Sequence, residues 1–334
     1  MIWLAFLGCM ALIFVGGRRL SHYADELGDV TGLAGSWIGL TLLSSITSAP
    51  ELMTGLSSVT VAGAPNIAVG DILGSCAFNV AILALVHFTV RREIPLFAEL
   101  GDRHVLPAAF GALLLGIVAM ELALRQFGLH FNFLQVGAFA PVVILLYAIG
   151  MRMIFLHAHE APAPEAEPDS RGAEVKPRLP LWLRIALAAS AVIAGGIGLP
   201  FVAETLATEM GWTQSFVGTL LVAAVTSAPE ITVTLAAARL GALDMAVANV
   251  FGSNMFNVII LAIDDLAYRQ GSILDDVSPA HAFSALTAMV MTVVAIIGMS
   301  YRRAEGVYWS LTAINIGLVL LFLGNAALLF HAGS

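Results

Sequence analysis

Charge is the scarcest ingredient of this 334-residue chain. Asp, Glu, Lys and Arg supply 11% of it, where a soluble domain carries about 25%. Hydrophobic residues supply 59%, and mean hydropathy is +0.91. A water-soluble globule is excluded, and the expected partner is the lipid bilayer. The net charge of −8 says little about other partners, because few charges reach water. No basic patch suits a nucleic acid, and no nucleic-acid partner is expected. Cysteine is nearly absent: Cys9 and Cys76 both lie in apolar runs. That excludes a disulfide framework or a cysteine metal motif and leaves packing as their role. A basic leader is missing too. Arg18 and Arg19 follow the first apolar run rather than precede it, so the run reads as a transmembrane helix and not as a signal peptide.

What is present is a series of apolar stretches. A spanning helix needs about 20 such residues, and ten candidates can be drawn: roughly 2–20, 33–62, 66–89, 104–123, 131–156, 181–204, 212–239, 245–266, 279–299 and 306–330. The second, third, seventh and eighth are interrupted by Pro, Gly, Ser and acidic residues. The stretch 157–180 is rich in Pro, Ala and charge and reads as a loosely structured linker. It separates two five-helix halves, 1–156 and 181–334. With the N-terminus outside, only Arg125 and Arg269 fall on outside loops, and every other Lys and Arg falls inside. This asymmetry predicts a multi-pass protein of a cell (inner) membrane, N-terminus outside, linker cytoplasmic. Five spans per half is odd, so the halves run in opposite senses.

The halves also resemble each other. ITSAPELMTG begins at Ile46 and VTSAPEITVT at Val225; Thr47 to Glu51 repeats unchanged as Thr226 to Glu230. One residue is then gapped. Gly74-Ser75 matches Gly252-Ser253, and Phe78-Asn79-Val80 matches Phe256-Asn257-Val258. Inverted repeats with broken helices near the midplane are an architecture of secondary transporters. The predicted fold is therefore an all-α polytopic membrane protein, with about ten helices in two inverted five-helix repeats. Pro50 removes a helix hydrogen bond and bends the chain. Thr47, Ser48 and Glu51 then share one helix face, as do Ser75 and Asn79 on the next helix. The second repeat offers Thr226, Ser227 and Glu230, with Ser253 and Asn257. The product is an inward set of oxygens suited to Ca²⁺, which takes 6–8 oxygen ligands, or to Na⁺. No His or Cys joins it, which argues against zinc or copper.

At these residues the sequence resembles the calcium/cation antiporter superfamily, and within it the sodium/calcium exchanger family. That family's two α-repeats carry a (G/T)TS-x-PE helix followed by a GN-x-x-GSN-x-FN/D helix. The resemblance implies that the second, third, seventh and eighth helices surround the ion sites. It places ligands at Thr47, Ser48, Glu51, Ser75 and Asn79, and at Thr226, Ser227, Glu230, Ser253 and Asn257. The glutamates would bind Ca²⁺ directly, hydroxyls and carbonyls would help hold Na⁺, and the first and sixth helices would slide to alternate access. Three positions depart from the pattern. Asn257 stands where an aspartate is common, Asp71 replaces an asparagine whose mate is Asn249, and Cys76 replaces the asparagine of GSN. Asp71 lines an outer approach or an outer cation site, or else complements a helix dipole. Asp264, Asp265, Asp275 and Asp276 read as a solvated outer loop.

The function these readings predict is antiport of Ca²⁺ against Na⁺. H⁺ is the rival counter-ion, because carboxyl groups in a low-dielectric site exchange protons for metal ions. A cation channel and an intramembrane enzyme are the competing classes. Neither a continuous polar path nor a nucleophile with a base is evident, and no cofactor is expected beyond the transported ions.

Overall fold

The computed structural model describes residues 1–31, 44–89, 100, 102–133, 135–160, 179–300 and 308–331. Among the described residues the regular structure is helical apart from a hairpin of two-residue strands, β1 (Asn132–Phe133) and β2 (Val136–Gly137). The helices are α1 (Ile2–Thr31), α2 (Ala49–Ser57), α3 (Pro65–Thr89), α4 (Val105–Gln126), α5 (Phe139–Glu160), α6 (Leu181–Met210), α7 (Gln214–Thr226), α8 (Ala228–Arg239), α9 (Leu243–Ala267), α10 (His281–Ser300) and α11 (Tyr308–His331). Eight of them are long and apolar enough to cross a membrane, and α7 with α8, bent by 48°, adds a ninth when the pair is counted as one broken span. The chain is a multi-pass membrane protein. The expected span 33–62 is described only from Ser44 onward, and most of the linker 157–180 lies outside the described residues. The fifth span begins later than the sequence suggests, because β1 and β2 occupy its first residues.

Helices α3 and α9 form the centre. In their most apolar stretches 83% and 78% of residues are buried, against 22% and 33% in α1 and α6. Both central helices bury apolar residues on most of their circumference, as a helix enclosed by others must, and their buried polar residues face the centre. Ile72, Leu73, Val80 and Leu83 of α3 join Val250, Val258 and Leu261 of α9 in one core. Helices α1 and α6 pack lengthwise on each other at the rim.

Glycine pairs set this rim contact. Gly16 and Gly17 of α1 occupy the same repeat positions as Gly195 and Gly196 of α6. A Cβ at Gly16 would stand 2.9 Å from the Ala188 carbonyl oxygen, and one at Gly195 would stand 2.8 Å from Ile13. The second glycine of each pair turns to the broken helix of the other half. A Cβ at Gly17 would meet the Pro229 ring at 2.4 Å, and one at Gly196 would meet Met53 Cβ at 2.7 Å.

The gapped residue of the repeat also has a structural counterpart. Helix α2 continues into a π-helical turn, Ser58–Ala62, before Gly63 at φ 66°. Helix α8 has no such turn and ends at Gly241, φ 86°. A π-helical turn absorbs one extra residue without shifting the helix face, so α2 and α8 present equivalent residues despite unequal lengths.

Polar contacts clamp the ends of the bundle. Arg184 of α6 makes a two-pronged pair with Glu26 of α1 at 2.8 and 2.6 Å. Its hydrogen bonds hold the Glu26 carboxyl below the usual carboxylate range. The resulting stability is present above the unfolded carboxyl pKa, about 4.3, and is lost as pH falls through the lowered value. At a partly exposed pair it contributes under about 1 kcal/mol. Arg103 and His104 hold Asp244 at 3.0 and 2.7 Å. At the other end Arg125 binds Glu121 at 3.0 Å, Asn132 at 3.1 Å, Ser272 at 3.2 Å and Asp275. Tyr268 donates to Asp276 at 2.9 Å, and burial with that carboxylate pushes the phenol up to about 12.

These contacts correct the sequence reading. Asp264 and Asp265 are not solvated but 0% exposed, since α9 carries them to the bundle end beneath β2 and the following loop. Glu121, near the end of α4, is buried against Arg125. Arg125→Met leaves Glu121 buried without its cation, in a site where the Arg125 side chain is 6% exposed, while Asp275 keeps Asn132 and His130. We expect a loss of about 3–5 kcal/mol, read as a lower unfolding midpoint in detergent, with Arg125→Lys intermediate. An unchanged midpoint would remove the clamp from the fold's supports.

Candidate cation-binding site

The site is built on two matched helix breaks. At Ser48 (φ −84°, ψ 12°) and Ser227 (φ −77°, ψ 5°) the helical path is interrupted, and Pro50 and Pro229 fall in the first turn of the helix that resumes. Proline is tolerated there because its missing N–H has no helical partner to lose. Glu51 and Glu230 follow in the same first turn, where the helix end favours negative charge. The bend that proline predicts is present, but it falls two residues before the ring.

The breaks meet at the middle of the bundle, and each glutamate is held from the opposite half. Ser48 Oγ donates to Glu230 Oε1 at 3.1 Å, and Ser227 Oγ donates to Glu51 Oε1 at 3.2 Å. The threonines repeat the exchange. Thr47 Oγ1 lies 3.3 Å from Ser253 Oγ, and Thr226 Oγ1 lies 3.4 Å from Ser75 Oγ. Ser253 Oγ also approaches Glu230 Oε1 at 3.4 Å. Glycines permit this closeness. A Cβ at Gly74 would stand 2.2 Å from the Thr219 carbonyl oxygen, and one at Gly252, its repeat mate, 2.5 Å from Ser44 Oγ.

Thr47, Ser48, Glu51, Asp71, Ser75, Asn79, Thr226, Ser227, Glu230, Ser253 and Asn257 are all 0% exposed. Among the described residues several of their acceptor atoms have no hydrogen-bond donor: Glu51 Oε2, Glu230 Oε2, Asp71 Oδ2, Asn79 Oδ1 and Asn257 Oδ1. Buried oxygens without donors are costly, and a bound cation would satisfy them. Glu51 also feels the charges of Glu230 and Asp71.

Asp71 belongs with this set and not with a helix end. It sits in the second turn of α3 and accepts from Thr226 Oγ1 at 2.7 Å and Ser75 Oγ at 3.4 Å. Its repeat mate Asn249 turns away and donates to Thr234 Oγ1 at 3.3 Å. The two amides of the FN motifs are not equivalent either. Asn79 Nδ2 donates to Asn254 Oδ1 at 3.1 Å, while Asn257 lies beside the Cys76 thiol. Asn254 is the residue that sequence reasoning missed. It pins the crossing of α3 and α9 by donating to the Cys76 carbonyl at 3.0 Å. The signal for it was the GSN of the second repeat, which Cys76 breaks in the first. Among the described residues no three His, Cys, Asp or Glu side chains converge as a ready-made chelating cluster. Any cation here would be held by the carboxylates of this set with hydroxyl, amide and carbonyl oxygens.

Comparison with known proteins agrees with this architecture. The family described as sodium/calcium exchanger protein matches residues 1–156 and 180–324. The inner membrane protein YrbG of Escherichia coli is 28% identical over 78% of this chain and 81% of its own length. CaxA of Alkalimonas amylolytica is 27% identical over 75% of each. The sodium/calcium exchanger MaX1 of Methanosarcina acetivorans is 32% identical over 42% of this chain and 40% of its own. Among solved structures, the H⁺/Ca²⁺ exchanger CAX superposes with a TM-score of 0.62 at 16% identity, covering 99% of this chain and 88% of that one. The sodium-calcium exchanger NCX_Mj gives 0.56 at 19%, covering 98% and 99%. At such identities the likeness is one of fold. The chain belongs to the sodium/calcium exchanger protein family.

Proposed function

We propose that this protein is a secondary antiporter that exchanges Ca²⁺ for Na⁺ by alternating access. Glu51 and Glu230 bind Ca²⁺, and Thr47, Ser48, Ser75, Asn79, Thr226, Ser227, Ser253, Asn257 and Asp71 complete the ion sites. The observation that carries this reading is the reciprocal pair Ser48–Glu230 and Ser227–Glu51. It joins two oppositely running halves at one buried carboxylate pair, and sliding of α1 and α6 past this core would open the pair toward either face in turn. The halves are 1–156 and 181–334, joined by 157–180.

The orientation we assign has the N-terminus outside and the linker cytoplasmic, in the inner membrane of a cell. The excess of Arg and Lys on the linker side supports the direction, and contacts within each end support the grouping of the loops. Residues expected inside meet each other, Arg184 with Glu26 and Arg103 with Asp244, and so do residues expected outside, Arg125 with Asp275.

A second reading couples Ca²⁺ to H⁺. The surplus of carboxyl groups favours it, since Asp71 joins two glutamates and no Lys, Arg or His reaches any of the three among the described residues. Purified protein in liposomes decides between the two. ⁴⁵Ca²⁺ uptake is followed under an outward Na⁺ gradient and then an outward H⁺ gradient, with the membrane potential clamped. We expect uptake with Na⁺. Uptake with H⁺ alone assigns protons as the counter-ion. Uptake with neither overturns the antiport reading, and flux that persists without any counter-ion gradient points to a channel.

A further inference from the structure

Two adjacent aspartates at the end of α9 have opposite surroundings. Asp265 is saturated: it accepts from the Gly137 and Ile273 amides at 2.8 and 2.7 Å and from Ser272 Oγ at 3.0 Å. Asp264 is 0% exposed, and among the described residues neither carboxylate oxygen has a hydrogen-bond partner. Its carboxylate lies against Gly55 of α2, where a Cβ would stand 2.2 Å from Oδ2 and 2.8 Å from Oδ1. Gly55 is one helical turn along α2 from Glu51, so Asp264 fills the space one turn beyond that glutamate. Asp71 is one turn before Ser75 on α3, toward the same end of the bundle. Its charge acts on Asp264, so the two carboxylates lie within electrostatic reach of each other. Asp71 Oδ2 is likewise buried without a partner.

The repeat confines this arrangement to one side. The positions equivalent to Gly55, Asp71 and Asp264 are Thr234, Asn249 and Val86. On that side an amide donates to a hydroxyl, the third position is apolar, and no charge is present. Glycine at 55 leaves room for a carboxylate where the other half carries a threonine. One turn further out, a cleft of about 460 Å³ opens between the end of the α2 π-helical turn and the end of α9, lined by Val59, Thr60, Leu266, Ala267, Arg269 and Gln270.

An ionised carboxylate stranded within the bilayer costs several kcal/mol, and protein groups around Asp264 do nothing to offset that. We propose that Asp264 and Asp71 hold a second divalent cation, a station between this cleft and the Glu51–Glu230 pair. Two carboxylates balance one divalent charge, and water completes the six to eight oxygens that Ca²⁺ requires. The proposal rests on reading the glutamates as the principal Ca²⁺ site.

The test is equilibrium ⁴⁵Ca²⁺ binding to the purified full chain in lipid nanodiscs. Wild type is expected to bind two Ca²⁺ per chain and Asp264→Asn one, the tighter being retained. Gly55→Ala, which pushes on the Asp264 carboxylate from the facing helix, is expected to weaken the second ion at least about tenfold. Glu51→Gln loses the tighter ion and keeps the other. A single Ca²⁺ on wild type, or unchanged binding by Asp264→Asn, overturns the proposal. Should Asp264→Asn fail to fold, unchanged binding by Gly55→Ala overturns it equally. If Glu51→Gln retains both ions while Asp264→Asn loses one, the reading of the glutamates fails and the second station stands.

Discussion

Glu51→Gln and Glu230→Gln each reduce Ca²⁺ transport about ten- to a hundredfold while leaving an inserted, folded protein. Glutamine keeps the shape of glutamate and still accepts from Ser227 or Ser48, so the link between the halves survives. What is lost is one of two negative charges facing the ion. A charge-assisted oxygen contact contributes about 1.5–3 kcal/mol, and about 1.4 kcal/mol is tenfold in affinity. The second readout is thermal. A ligand present at about 100 times its Kd stabilises the folded state by about 2.7 kcal/mol, so Ca²⁺ raises the unfolding midpoint of wild type clearly more than that of either variant. Transport at the wild-type rate by both variants would sink the assignment.

Gly17→Ala and Gly196→Ala carry the other large effect, and they act away from the ions. A methyl group at 17 meets the Pro229 ring at 2.4 Å, and one at 196 meets Met53 Cβ at 2.7 Å. Pro229 and Met53 flank the two glutamates in sequence, so both glycines bear on the broken helices themselves. Over-packing of this kind costs about 1–3 kcal/mol. The strain falls on the contact along which α1 and α6 pass the central helices. We expect transport to fall at least about tenfold, the factor about 1.4 kcal/mol represents, while ⁴⁵Ca²⁺ binding is retained. Gly8→Ala is the control, because nothing stands within 4 Å of its Cβ position. Equal loss of binding and transport in the Gly17 variant would mean that the glycine shapes the site and not the movement.

The repeat made the centre of this protein legible. TSAPE and GSxxFN recur with the residue types that oxygen coordination needs, and every side chain they nominate is buried at the helix breaks. Other features were present in the sequence but looked ordinary. The Gly-Gly pairs at 16–17 and 195–196 repeat in register with TSAPE, yet paired glycines in an apolar helix read as general packing. Asn254 was hidden because its mate is Cys76, which removed the match that marked its neighbours. Asp264 and Asp265 could not be told apart at all. What separates them is the set of donors at Gly137, Ser272 and Ile273, brought by a hairpin and a loop whose placement depends on tertiary contacts. All three donors serve Asp265, and Asp264 is left to face the bundle.

The crossed serines have a consequence for how the protein is made. The first half leaves the ribosome with Glu51 already in its apolar setting, but the hydroxyl that holds it, on Ser227, is not yet synthesised. Ser48 likewise waits for Glu230. A half-chain therefore cannot finish its own interior, and it stays an unsatisfied substrate for membrane quality control until α7 and α8 insert. Severed halves supplied together should protect each other from proteolysis, and either one supplied alone should be cleared.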